Sequence, residues 1–161
     1  MKEQKIEFHY TVYDSVDELP EDDKNLLLEA RKVTEHAYAP YSRFHVGAVA
    51  KLSNGELVRG SNQENASFPL GLCAERVLLA TVSSLYPKIP IQSIAISYRS
   101  AELKNDHPIS PCGICRQALQ EYEGSIKQPL KLILGGAAGS VYVIDSATQL
   151  LPLAFTSEEL G

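Results

Sequence analysis

The chain has 161 residues, 44% of them hydrophobic and 22% charged, which is enough to bury one substantial core and predicts a single globular domain. Its formal net charge of −5, with no run of lysine or arginine, argues against a nucleic acid partner and for a small or neutral ligand. The opening "MKEQKIEFHY" lacks the apolar centre of a signal peptide and no apolar run approaches a membrane span, so a cytoplasmic protein with no membrane partner is expected.

In chain order, Ile6, Phe8, Tyr10 and Val12 alternate with more polar residues and predict a short half-buried strand near the N-terminus. After the acidic opening "ELPEDD", the stretch "KNLLLEARKVTEHAYA" carries helical periodicity up to Pro40. "FHVGAVAKLSNGELVRGSNQEN" reads as two strands joined at Asn54 and Gly55, an antiparallel hairpin. A helix beginning near Cys73, a strand in "IQSIAISYR", a polar loop from Ser100 to Ser110 and a helix opening at "PCGICRQALQEY" follow. "LKLILGGAAGSVYVI" supplies two last strands whose connection is too short for a parallel crossover, so they are predicted antiparallel. The glycines of that connection, Gly135, Gly136 and Gly139, have no following GK[ST] and open no helix, so a turn is preferred to a phosphate cradle. The expected fold is α/β: a three-layer α/β/α sandwich on a mixed sheet of about five strands.

Three cysteines in a chain with no export signal make a poor disulfide framework and a good metal site. Cys112 and Cys115 form a CxxC at one helix start and Cys73 stands at another, where the partial positive charge of the helix favours thiolates. Three ligands without an obvious fourth is the pattern of a catalytic zinc with one position left for water, although His36 or His107 completing a closed structural site stays open. A thioredoxin-like redox role is weaker, since it leaves Cys73 and Glu75 without work. Glu75 falls on an otherwise apolar helix two residues after a ligand, where its carboxyl is placed to move the protons of a reacting water. Three thiolates give the zinc site a net negative charge. Arg76 and Arg116, each next to a site residue, are placed to hydrogen-bond the sulfurs and spread that charge, with ordinary surface ion pairs as the alternative.

These residues, with "APYSRFHVGA" from Ala39, "NQENASFPLGLCAER" from Asn62, "SPCGICRQ" from Ser110 and "LLPLAF" before "EEL", resemble the small zinc-dependent cytidine deaminases that act on free nucleosides. The resemblance covers about residues 22–160, in order. It implies one zinc per subunit on Cys73, Cys112 and Cys115, and Glu75 as proton shuttle in the hydrolysis of cytidine and deoxycytidine to their uracil products and ammonia. It further implies that Phe44 packs against the pyrimidine, that Asn62 and Glu64 clamp the ribose, and that the Ala74 amide faces the reacting centre. Family members are homotetramers with sites near subunit interfaces, so Ala66, Phe68 and Phe155 are expected at a neighbour's pocket, Phe155 being equally readable as a packing anchor. The family's place is pyrimidine salvage.

Residues 1–21 then form an N-terminal extension with a short strand, free to extend the sheet, cover an edge or mediate assembly, and 22–161 the deaminase domain. His45 and Arg43 carry no expected role. A tRNA or DNA deaminase is disfavoured by Cys73 in place of histidine, by the acidic balance and by the antiparallel last strands. A deaminase of an aminonucleoside antibiotic matches "NQENASF" less well. A zinc-stabilised binding protein leaves Glu75 unexplained.

Overall fold

A computed structural model describes residues 1–160. Strand β1 (Thr11–Tyr13) and helix α1 (Glu21–Val33) precede the hairpin β2 (Phe44–Leu52) and β3 (Leu57–Ser61). Helix α2 (Ala74–Leu85), strand β4 (Ile91–Ser100) and helix α3 (Gly113–Ile126) lead to the closing pair β5 (Lys131–Gly135) and β6 (Val141–Ile144). The six strands form one sheet in the order β1-β6-β5-β4-β2-β3. Only β4 and β5 run parallel, joined through α3, and β5 and β6 pair antiparallel as their short connection requires.

The three layers follow from strand alternation. On β2, Ala48, Ala50 and Leu52 face Leu78, Leu79 and Val82 of α2 and Leu119 of α3, and on β5 Leu132 and Leu134 join the same core. Val49, Ala95 and Ile133 point to the opposite face, where Leu26, Leu27, Ala30 and Val33 of α1 cover them. A side chain at Gly60 on β3 would lie 2.6 Å from the Ala74 carbonyl and from the Leu78 amide, so glycine there lets the first turns of α2 rest on the sheet. The acidic first turn of α1 contributes Asp23, which is buried and holds Lys131 Nζ at 2.6 and 2.8 Å. The turn reading of the glycine connection is accounted for as well: Gly139 has φ +74°, and a side chain on it would collide with the Asp106 carbonyl.

Three expectations change. The sheet has six strands because β1 adds to the edge of β6, a pairing that the strand count of about five left out. That N-terminal strand spans only three residues, and Ile6, Phe8, Tyr10 and Val12 are exposed instead of half-buried, since no helix or second layer lies over them. Their rings contact each other and the sheet edge, with Phe8 stacked on Tyr10 at 5.4 Å and Tyr10 tilted against Tyr142 at 4.9 Å. Helix α1 ends at Val33, and Thr34–His36 tightens into a 3-10 turn before the chain extends toward Pro40.

The end of the chain is anchored by one buried carboxylate. Glu123 of α3 accepts hydrogen bonds from the amides of Leu130 (3.1 Å) and Ala147 (2.7 Å) and from the hydroxyls of Ser146 and Thr148, capping the 3-10 turn Ala147–Leu150. Glu123→Ala leaves several buried donors unpaired and is expected to cost about 3 kcal/mol or more. The denaturant midpoint should fall at unchanged slope, with Glu123→Gln retaining part of the stability; wild-type stability in both variants would contradict this assignment.

Candidate active site

Two short connections bring the cysteines together. After β3, Gln63 and Leu72 exchange both of their backbone hydrogen bonds at 2.9 Å, so the chain is already aligned when it reaches Cys73. Cys73 is the residue capping the start of α2, and Cys112 holds the same place on α3 in extended backbone. Cys115 lies one turn further in and is fully buried. The three sulfurs lie within 4.8 Å of one another, and Cys73 Sγ and Cys112 Sγ are 3.8 Å apart. Zinc–sulfur bonds of about 2.3 Å in a tetrahedron require sulfurs about 3.8 Å apart, so the donor set fits a zinc ion with one position left over. Among the described residues the cluster contains no histidine, which removes His36 and His107 as closing ligands.

The cysteine side chains shift one another's acidity. A hydrogen bond from the Cys115 thiol pulls Cys73 down to about 6, against burial and the adjacent Glu75 charge, with Cys112 and Arg76 helping. The same bond and burial push Cys115 far above the thiol range. Glu75, in the first turn of α2, is 5% exposed. Burial pushes its carboxyl above the usual range, and hydrogen bonds from its own amide and the Cys115 thiol offset this only in part. A carboxyl of that kind exchanges its proton more readily near neutral pH than an exposed one. The Ala74 N–H, at the first helical position, has no acceptor within the helix.

The two arginines are placed differently from expectation. Arg116 donates from Nε to the Pro111 carbonyl at 2.8 Å and from Nη1 to the Leu150 carbonyl at 3.1 Å, tying the start of α3 to the segment after β6 instead of reaching a sulfur. Arg76 makes no hydrogen bond to a sulfur among the described residues and acts on Cys73 through its charge.

Phe44 opens β2, and its ring stacks on Tyr98 with centroids 5.2 Å apart and planes 13° apart. Val46 pairs directly with Tyr98, which puts Phe44, Val46 and Tyr98 on the face of the sheet that carries α2 and α3. The Asn62 side chain bridges to β2, accepting from the Val46 amide at 2.7 Å and donating to the Phe44 carbonyl at 2.8 Å. Glu64 accepts from the amides of Tyr41 (2.9 Å) and Ser42 (3.3 Å) and from the Ser42 hydroxyl. Burial pushes the Glu64 carboxyl up, yet the Ser42 hydroxyl and the two amides together hold it below the usual range. Ala66 is exposed, Phe68 is 90% exposed and Phe155 is 58% exposed, with the Phe155 carbonyl accepting from Gln117 Nε2 at 2.9 Å.

Residues 20–128 match the family model of the cytidine and deoxycytidylate deaminase zinc-binding region. The chain belongs to this family. It is 39% identical over 140 residues to a cytidine deaminase of Halalkalibacterium halodurans, a match that spans 87% of this chain and 98% of that protein. The crystal structure of cytidine deaminase from Burkholderia pseudomallei has 38% sequence identity and a TM-score of 0.70, covering 81% of this chain and 97% of that one. That of Mycobacterium tuberculosis has 32% identity and a TM-score of 0.63 over 83% and 97% of the two chains. With this family the cofactor is zinc, held by Cys73, Cys112 and Cys115.

Sequence reasoning missed the residues that support the site from behind. Tyr98, Ser42 and Gln117 carry no spacing signal, because each acts through a partner distant in the chain. For Tyr98 the one available hint is a large aromatic at the end of a strand, diagonal to Phe44 once the register is known.

With zinc removed by a chelator, iodoacetamide labelling of Cys73 should accelerate as the pH rises through about 6, because only the thiolate reacts, while Cys115 stays unlabelled. Zinc should protect Cys73 and Cys112. Equal labelling of Cys73 and Cys115, or no protection by zinc, read by peptide mass mapping, would contradict the proposed ligand set.

Proposed function

We propose that this protein is a zinc-dependent cytidine deaminase, converting cytidine and deoxycytidine with water to uridine and deoxyuridine and releasing ammonia. The observation that carries this reading is Glu75, buried two residues after a cysteine of a three-sulfur cluster, in a chain 39% identical over 140 residues to a protein named cytidine deaminase. Zinc on the three thiolates supplies a Lewis acid that lowers the pKa of water enough to make a nucleophile at neutral pH.

The protein's own groups do the rest. Glu75 receives the proton of the attacking water and passes one to pyrimidine N3, so that C4 accepts the nucleophile. It then takes the proton of the new C4 hydroxyl and delivers it to the amine, so that the C4–N bond breaks, the C4 carbonyl forms and ammonia leaves. Its raised pKa suits both halves of that traffic, since a carboxylate that is too weak a base would hold no proton to return. The unpaired Ala74 amide is available to the reacting centre, and a site shaped for the tetrahedral C4 binds that state better than the flat base.

Phe44 is assigned to the pyrimidine face. Asn62 and Glu64 are assigned to the ribose, with the carboxylate of Glu64 kept ionised and able to accept from sugar hydroxyls, and with one amide hydrogen of Asn62 still free after its bond to Phe44. Arg116 is assigned to holding α3 in place and Arg76 to offsetting the thiolate charge.

The assembly proposed is a homotetramer in which Ala66, Phe68 and Phe155 border a neighbour's pocket. Large apolar side chains are exposed in the segment before Cys73 and in the segment after Leu150, Phe68 at 90% and Leu153 at 94%, where a second chain would cover them. Residues 1–21 are proposed as an extension that adds β1 to a deaminase domain of 22–161; the match to the Halalkalibacterium protein covers 98% of that protein and 87% of this chain, which supports a domain shorter than the chain. Among the described residues no helix is long and apolar enough to cross a membrane. A cytoplasmic place in pyrimidine salvage completes the proposal.

Ultraviolet assay of the zinc-loaded protein should show turnover of both nucleosides, and Glu75→Gln should keep its zinc while losing at least about a thousandfold in kcat. The same preparation should run as four chains by light scattering. Folded, zinc-loaded wild type without turnover would overturn the activity, an undiminished Glu75→Gln would overturn the mechanism, and a fully active monomer would overturn the assembly.

A further inference from the structure

We propose that Tyr98 is a positioning residue of the base-binding wall: it braces the Phe44 ring from behind and so sets the plane that the pyrimidine meets. The inference rests on the reading that Phe44 lies against the base.

Tyr98 is 1% exposed, while Phe44 keeps part of its surface open, so the pair is a buried plate under a partly exposed one. Planes 13° apart at a centroid distance of 5.2 Å leave the front of Phe44 nearly parallel to the ring behind it. Phe44 is the first residue of its strand, directly after Arg43 in the left-handed region (φ 54°), and Tyr98 is the ring stacked on it. A stacked neighbour therefore decides its tilt.

Tyr98 is itself held at its far end. Its hydroxyl lies 3.4 Å from His107 Nδ1, the imidazole meets the phenol edge-on at 5.9 Å and 65°, and Asp106 Oδ1 lies 3.3 Å from the same nitrogen. Burial, reinforced by the Asp106 charge, pushes the phenol up, so it remains an O–H donor at neutral pH. The loop carrying His107 is fixed in turn. Asn105 accepts from the Ser100 amide at 2.7 Å and donates to the carbonyls of Ser100 and Leu103 at 2.9 Å, and its own carbonyl receives the Ala138 amide at 3.1 Å. A phenol locked at one end and stacked along its face has little freedom to move when substrate binds.

A residue that only filled the core would lower stability and leave substrate binding unchanged. A brace for Phe44 predicts a split between kinetic constants. Tyr98→Leu should raise the cytidine KM about three- to tenfold, the range a stacked aromatic pair supplies, with kcat within about twofold and zinc content unchanged. Tyr98→Phe, which keeps the plane, should restore KM to near the wild-type value. If the leucine variant does not fold, Tyr98→Met, which keeps bulk without a flat face, carries the same expectation.

Phe44→Leu is the control for the underlying reading. The double variant Phe44→Leu with Tyr98→Leu should have a KM no higher than Phe44→Leu alone, because the ring that Tyr98 braces is already gone. A raised KM in Phe44→Leu with an unchanged KM in folded Tyr98→Leu overturns the positioning role and leaves the pyrimidine contact standing. Additive effects of the two substitutions overturn it as well. An unchanged KM in Phe44→Leu overturns the base-contact reading itself.

Discussion

Three sulfurs from two helix starts must meet at one point, and the rest of the structure serves that convergence. Neither helix can reach the meeting point alone, since Cys73 caps α2 while Cys112 and Cys115 belong to α3. Both helices lie on the same face of the sheet, and their starts are set by contacts that leave little play. Gly60 lets α2 settle on β3, the Gln63–Leu72 exchange aligns the approach to Cys73, and Arg116 ties Pro111 to Leu150 at the approach to Cys112. The helix ends add electrostatic help, because their unpaired amides favour the thiolates that zinc needs. The polar anchoring by Glu123 at the other end of α3 fixes the same helix from its C-terminal half.

A buried glutamate in this setting is a cost to folding that the proposed proton-shuttle role explains. Its carboxyl is 5% exposed, and burial raises its pKa. Folded stability alone would favour an apolar residue there. Proton transfer between water, ring nitrogen and leaving amine needs a carboxyl with that environment, beside the metal ligands. The residues proposed to face the substrate show a related economy: Asn62 and Glu64 already hold the start of β2 and the preceding turn in the free chain. Their geometry is therefore prepared before a nucleoside arrives, which lowers the ordering cost of binding.

Much of this was legible in the residues. The hairpin announced itself through Asn54 and Gly55, the cysteine pair through its CxxC spacing, and the antiparallel last strands through the brevity of their connection. The core followed alternation on β2 and β5. What was not legible depends on register and on partners far apart in sequence. The strip Ile6, Phe8, Tyr10 and Val12 has a strand's alternation, but alternation cannot tell whether a second layer exists to bury it, and among the described residues these side chains stay exposed. Arg116 sits beside a ligand in sequence, yet on a helix the adjacent residue points about 100° away, so its guanidinium finds backbone carbonyls instead of sulfur. The stack of Tyr98 on Phe44 appears only once β2 and β4 are paired.

The most direct test of the three-sulfur site is X-ray absorption spectroscopy at the zinc edge of the purified, zinc-loaded protein. Three sulfurs at about 2.3 Å and one lighter ligand are predicted, the signature of a site with a position open to chemistry. Four protein ligands, whether a fourth sulfur or a histidine imidazole, would describe a closed structural site and contradict the account at its centre.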